Sequence, residues 1–212
     1  MAVGPGGTAD ILAKTVGRGT TLLERALPGA RLSVLGPLGT AFPEPRADRV
    51  DLLVAGGVGL PPMYMQAAWA ARGGVAAQSE VLYGGRGAAD LVVLDDLRAM
   101  GVGLHLTTED GSVGTKGLVT AALDARLEAH RGRAVRVMGC GPNGMLWAIG
   151  RIAKARDVPC FISVEEQMAC GIGVCLGCAI PARSRPFRYV CSNGPVFEAS
   201  EILDVNPDAK SP

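Results

Sequence analysis

Three cysteines, Cys170, Cys175 and Cys178, crowd into nine residues, and Cys191 follows the third after a gap of twelve. Spacings of four, two and then a longer gap match the C-x4-C-x2-C…C arrangement in which four thiolates ligate a plant-type [2Fe–2S] cluster. Gly171, Gly173 and Gly177 lie between the thiols. They let the loop wrap closely enough for backbone N–H groups to point at sulfur and stabilise an added electron. Zinc normally takes two separated Cys pairs rather than three bunched thiols. A disulfide framework belongs to an oxidising compartment, and the N-terminal stretch MAVGPGGTADILAKTVG carries no secretory signal. Both remain as lesser alternatives. Of the other two cysteines, Cys160 reads as a small buried hydrophobe, whereas Cys140, at a strand end in MGCGPNGM, is open to a structural or a functional reading.

Two Gly-rich turns suggest a nucleotide. GGVGLPP, Gly56 to Pro62, leaves a strand and opens a helix with proline in its first positions. There, backbone N–H groups and the positive helix end can hold a pyrophosphate, although the turn is not a GxGxxG fingerprint. Tyr83-Gly84-Gly85-Arg86 ends the next strand, where an acid or an arginine often meets the adenosine ribose or its phosphate. Glu109 and Asp110, in TTEDGS, read first as turn residues and second as site candidates. His105 and His130 have no second His or acid at ligand spacing and read as structural.

These residues need a scaffold. From Val50 onward, short apolar runs alternate with helix-like segments. Strands are expected over 51–55, 80–83, 103–107, 134–138 and 160–164, with helices over 61–72, 88–100, 116–130 and 143–156. Strands alternating with helices of this length imply a doubly wound, five-stranded parallel sheet with ligands at the carboxyl ends of its strands. Residues 1–48 look different, with strand-like runs Ile11 to Val16 and Arg31 to Leu35, a turn at Gly17 to Thr20, and Gly/Pro corners. They read as a truncated remnant of a β-barrel. Residues 165–212 are rich in Cys and Gly and have few apolar residues for a core, so a bound group is expected to hold them together. The expected division is therefore 1–48, 49–164 and 165–212.

Composition narrows the function classes. The chain has 212 residues, net charge +1 and 48% hydrophobic residues. Its 30 glycines and 14 prolines fall short of the roughly 25–30% that marks low-complexity sequence. No Lys/Arg run offers a footprint for nucleic acid, and aromatic residues are 4% of the chain, which leaves little to stack on bases. Leu52 to Ala71 carries no charge, but Gly56-Gly57, Gly59 and Pro61-Pro62 would free backbone groups that lipid cannot satisfy. A cytoplasmic protein without a membrane span is expected.

AGGVGLPP, YGGR, TTEDGSVGTKG, CGPNGM, EEQMACGIGVCLGCAI and YVCSNGPVF together resemble the electron-transfer subunits of the two-subunit, NAD-linked bacterial dihydroorotate dehydrogenases. The resemblance runs from about Ile11 to Leu203, within the ferredoxin-reductase superfamily. It implies a subunit carrying FAD and a [2Fe–2S] cluster that passes electrons from an FMN-containing catalytic subunit to NAD+ in pyrimidine biosynthesis, in a heterotetramer of two of each. Carried over, Cys170, Cys175, Cys178 and Cys191 would be the cluster ligands. Leu12, Ala13, Lys14, Gly19 and Thr20 would meet FAD, and Gly57, Gly59, Tyr83, Arg86, Cys140, Gly141 and Pro142 would line the NAD site. The family's Arg-Pro-aromatic-Ser flavin segment does not occur near this N-terminus, and Ala13 stands where the family has an aromatic. FAD binding is thus expected to depend on strands that this sequence does not carry. The alternatives are a related reductase subunit serving sulfide or ferredoxin, and a flavin-free module that binds metal and nucleotide.

Overall fold

A computed structural model describes residues 2–3 and 8–203. The outermost parts of the expected N-terminal and C-terminal segments, 1, 4–7 and 204–212, lie outside the described residues. Two-residue strands β1 (Ala2–Val3) and β2 (Ala9–Asp10) pair antiparallel, and α1 spans Arg18–Glu24. There follow β3 (Val50–Gly56), α2 (Leu60–Arg72), β4 (Ser79–Gly85), α3 (Leu94–Ala99), β5 (Gly103–Thr108), β6 (Thr115–Lys116), α4 (Val119–Ala129), β7 (Val135–Cys140), α5 (Asn143–Ala155) and β8 (Cys160–Ser163). The hairpin β9 (Ala179–Pro181) and β10 (Phe187–Tyr189), then α6 (Val190–Asn193), β11 (Val196–Glu198) and α7 (Ala199–Leu203), complete the described chain.

The main sheet has seven strands in the order β11-β8-β7-β3-β4-β5-β6. Its five long strands are the expected parallel set, and two short edge strands, β6 parallel and β11 antiparallel, enlarge the expected five to seven. These edges escaped sequence reading because strands of two and three residues owe their conformation to the ladder they join.

Alternation along the strands sorts side chains to the two faces. Leu52 and Val54 of β3 join Leu82, Val137 and Ile162 against Leu123 and Leu127 of α4 and Leu146 and Ile149 of α5. Leu53 and Ala55 instead join Val81, Tyr83 and Met138 against Leu60, Met63 and Ala67 of α2. Both faces are therefore covered, which is why these strands read as near-continuous apolar runs.

Three expectations fail locally. The helix expected over 88–100 is a 3-10 turn at Ala88–Asp90, an irregular link and the short α3, because Val93 adopts a left-handed φ of 49° and ends any continuous helix. Neither Ile11 to Val16 nor Arg31 to Leu35 forms a strand, since no described segment runs beside either to complete a ladder. The expected turn at Gly17 to Thr20 is instead the start of α1, where the Thr20 hydroxyl accepts from the Val16 and Gly17 amides at 2.9 and 3.1 Å. Among the described residues, the N-terminal segment expected as a barrel remnant thus shows only the β1/β2 pair and a single bridge from Thr40 to Pro195.

Residues 165–203 are held partly by packing, contrary to expectation. Cys178, Ile180, Val190, Cys191 and Phe197 form a small buried cluster, and β11 attaches it to the main sheet. Thr40 fastens the N-terminal stretch to this region. Its amide donates to the Gly194 carbonyl at 2.6 Å and its hydroxyl to that of Val196 at 2.9 Å.

Candidate functional site

Between β3 and β7 the strand order reverses direction, and in such sheets the carboxyl ends at that point frame a ligand crevice. A cleft of about 780 Å³ lies there, lined by the turns after β3, β4, β5 and β7. Of the residues expected to contact NAD, Gly57, Gly59, Arg86, Gly141 and Pro142 line it. Tyr83 and Cys140 do not. Tyr83 is fully buried, its hydroxyl donating to the Asp90 carbonyl at 2.7 Å, and Cys140 is buried at the end of β7. Burial pushes the Cys140 thiol up to about 11, so it is uncharged at neutral pH.

Close approach of the β3 and β7 turns accounts for one glycine and a positive φ for another. A Cβ at Gly59 would collide with the Cys140 carbonyl and Gly141, whereas Gly57, at φ 51°, has open space where its Cβ would stand. Bare backbone therefore faces the cleft at Gly57, which suits a bulky anionic ligand. The N-termini of α2 and α5, each 13 residues long, follow the two turns; the Asn143, Gly144 and Met145 N–H groups that open α5 lack intrahelical partners, whereas Pro61 and Pro62 of α2 carry no N–H. Sequence reasoning missed Thr107, Asp90, Asn143 and Glu165, which also line the cleft. The Thr107 hydroxyl is buried without a hydrogen-bond partner among the described residues, an unused polar group in the cleft wall. Of the loop acids, Glu109 lines the cleft while Asp110 bonds Ser112.

The residues expected to contact FAD are scattered. Leu12 packs against the α2 face of the core, and Ala13 is exposed. Lys14 enters the nucleotide cleft, its ammonium 3.3 Å from Asp90. Gly19 and Thr20 occupy the first turn of α1, where amide N–H groups are free of intrahelical bonds.

The four loop cysteines come together as two pairs. Cys178 and Cys191, both buried, have their sulfurs 3.3 Å apart, and the Cys175 amide donates to the Cys170 sulfur at 3.5 Å. That amide and the Ile172 amide hold the Cys170 thiol down at about 6, close to the thiolate that iron requires. Gly171 and Gly173, at φ 73° and 81°, give the loop its curl. No group of three or more His, Cys, Asp or Glu surrounds one point for a single metal ion among the described residues. Two thiol pairs are the donor set of a two-iron cluster, which takes two cysteines per iron. The loop therefore fits that group.

The two histidines, unpaired by sequence spacing, meet one acid in space. Glu80 accepts from Arg126 at 2.7 and 2.9 Å and contacts His130 at 2.7 Å and His105 at 3.0 Å. This network lies on β4, β5 and α4, outside the residues that line the cleft.

The description "iron-sulfur cluster binding domain of dihydroorotate dehydrogenase B" matches residues 165–203. The chain is 38% identical over 202 residues to the dihydroorotate dehydrogenase B (NAD(+)), electron transfer subunit, of Geobacillus kaustophilus (strain HTA426), covering 93% of this chain and 75% of that protein. It is 39% identical over 197 residues to the same-named subunit of Caldanaerobacter subterraneus subsp. tengcongensis, covering 91% and 74%. Among solved structures, an NADH-dependent reduced ferredoxin-NADP oxidoreductase superposes with a TM-score of 0.74 at 30% identity, over 90% of this chain and 67% of that one. The cytochrome b5 reductase domain of Ulva prolifera nitrate reductase shares the fold, with a TM-score of 0.55 at 22% identity over 66% and 60%. No helix among the described residues is long and apolar enough to cross a membrane.

Proposed function

The chain belongs to the family of electron transfer subunits of dihydroorotate dehydrogenase B, and from that premise we propose that it relays electrons from a dihydroorotate-oxidising FMN subunit to NAD+ in pyrimidine biosynthesis. The observation that carries this reading is the pairing of four thiols, two and two, on the same chain as a Gly-lined cleft at the switch point of the sheet. Cys170, Cys175, Cys178 and Cys191 would hold a [2Fe–2S] cluster. Gly57, Gly59, Arg86, Gly141 and Pro142 would hold NAD, with Cys140 and Tyr83 supporting the cleft from below. FAD would lie along Leu12 and Ala13, with its phosphates at Gly19 and Thr20, while Lys14 lines the cleft. When bound, NAD exchanges an electron pair as hydride, the cluster exchanges single electrons, and a flavin can do both.

What the protein itself contributes is orientation and charge. The α2 and α5 N-termini favour a pyrophosphate, and neutral Cys140 adds no charge beneath the ring-binding end. N–H groups directed at Cys170 and Cys175 offset negative charge on the sulfurs. Ile172, Val174, Leu176 and Phe187 are exposed around the cysteine loop and would form the apolar face toward the catalytic subunit. The functional segments would be 1–48 for flavin, 49–164 for NAD and 165–212 for the cluster, in a cytoplasmic heterotetramer with two copies of each subunit.

One test is the visible spectrum of anaerobically purified protein with iron, sulfide, zinc and flavin quantified on the same sample. About two irons and two sulfides per chain are expected, and Cys175→Ser should lose both while far-UV circular dichroism stays unchanged. Zinc alone, colourless after cluster reconstitution, would overturn the redox reading. The likeness to a ferredoxin-NADP oxidoreductase favours a second reading, a reductase subunit serving ferredoxin. Reduction of NAD+ by dihydroorotate once the chain is combined with an FMN subunit would separate the two.

A further inference from the structure

We infer that Asp90 sets the preference of this chain for NAD over NADP: its carboxylate accepts the adenosine ribose hydroxyls and sets a negative charge beside the two cations that a ribose 2′-phosphate would require. The inference rests on the nucleotide reading of the cleft and adds the residue that discriminates. Strand β4 ends at Gly85, where parallel α/β sheets read the adenosine ribose, and Asp90 closes the 3-10 turn that follows. Asp90, Arg86, Lys14 and Glu109 all line the cleft.

Asp90 is placed there by several independent contacts. One carboxylate oxygen accepts the Arg86 amide at 3.0 Å and lies 3.5 Å from the Arg86 guanidinium, and the other lies 3.3 Å from the Lys14 ammonium. The Tyr83 hydroxyl fixes the Asp90 carbonyl from beneath. Gly85 is required for this packing, since a Cβ there would stand 2.8 Å from that of Asp90. The Arg86 amide, through its hydrogen bond, is the main cause holding the Asp90 carboxyl below its ordinary value, and Lys14 adds to it, so the group is ionised at neutral pH.

An arginine and a lysine at the end of the second strand would, by residue type, suggest an NADP site. Their surroundings reverse that expectation. A phosphate monoester carries a charge of about −1.5 to −2 at pH 7 and needs unpaired cations or free N–H groups. Here both cations lean on one carboxylate, and two of the loop amides are already used. The Arg86 amide donates to Asp90, and the Ala88 amide donates to the Ser112 hydroxyl at 2.8 Å, which in turn donates to Asp110 at 2.6 Å. A 2′-phosphate would therefore meet the negative charge of Asp90 and Glu109 beside the two cations, whereas a 2′-hydroxyl can donate to the carboxylate.

The experiment is calorimetric titration of the full chain with NAD+ and separately with NADP+, for the native protein, Asp90→Ser and Asp90→Asn. Native protein should bind NAD+ at least about tenfold more tightly than NADP+. Asp90→Ser should weaken NAD+ and strengthen NADP+, each by about tenfold, with the NADP+ gain fading as salt rises because it depends on Lys14 and Arg86. Asp90→Asn keeps an acceptor for the Arg86 amide, so the turn survives if serine loosens it, and it too should gain NADP+. Equal losses for both nucleotides, or an unchanged ratio in both variants, would overturn the assignment to Asp90 while native NAD+ binding left the cleft reading standing. Failure of native protein to bind either nucleotide would overturn the cleft reading, and the assignment with it.

Discussion

Three stretches that all read as strand-forming end in opposite states: β3 buries Leu52, Leu53 and Val54 to 1% or less, while Val16 in one N-terminal run, and Val34 and Leu35 in the other, remain 79%, 70% and 64% exposed. Composition does not separate them. Val and Leu occur in all three. The difference is the neighbour: β3 has β4 on one side and β7 on the other, each pairing six residues in parallel register. A strand without a ladder partner leaves its amides to water and gains nothing from its side chains.

This contrast can be broken or sharpened by substitution. The largest effect is expected at Arg136 on β7, which bridges Asp51 of β3 at 2.9 and 2.8 Å and the Glu44 carbonyl at 2.9 Å in an interior site. Arg136→Ala should cost about 3–5 kcal/mol in urea unfolding, because it leaves a buried carboxylate unpaired. Leu82→Ala, in the centre of the sheet, should cost about 2–4 kcal/mol through lost burial and a residual cavity. A loss below about 1 kcal/mol for either would mean that the sheet is far less tightly packed than its burial indicates.

The Glu80 network should show in the pH dependence. Burial raises the Glu80 carboxyl, but hydrogen bonds from Arg126 and His130 outweigh this and hold it at about 2. The folded state thus binds its proton more weakly than the unfolded chain does. Its stabilisation is complete above the ordinary carboxylate range and is lost as pH falls toward 2, a contribution of order 2 kcal/mol. Unfolding measured from pH 7 down to 2 should therefore show a steeper loss for native protein than for Glu80→Gln. Parallel curves would remove Glu80 from the account of acid stability. The smallest effect belongs to the N-terminal stretch. Val16→Thr and Val34→Thr should each change stability by less than about 0.5 kcal/mol, since neither side chain is buried.

Much of the fold was legible because it is written in local patterns. Every long strand of the sheet lies within two residues of its expected bounds, and Pro61 and Pro62 marked the start of α2. The helix expected over 88–100 was not legible, because the Tyr83 bond to Asp90 and the Asp90 pairs with Arg86 and Lys14 hold its first part in another path. The same contacts set where two of the expected site residues stand. Tyr83 supports the cleft from below, and Lys14, assigned to flavin by resemblance, reaches the nucleotide side. Glu80 with its two histidines was invisible for the simpler reason that its partners are 25, 46 and 50 residues away.

What the sequence determined alone is whatever depends on near neighbours. That covers the cysteine spacing, the Gly-rich turns, and the alternation of apolar runs that commits Val50 to Ser163 to a parallel sheet. Tertiary structure decided which runs found partners, which thiols paired, and whether Arg86 and Lys14 stand free or bound to Asp90. Those outcomes depend on distances between residues far apart in the chain, and the free energy of a ladder bond or an ion pair exists only once both partners are in place.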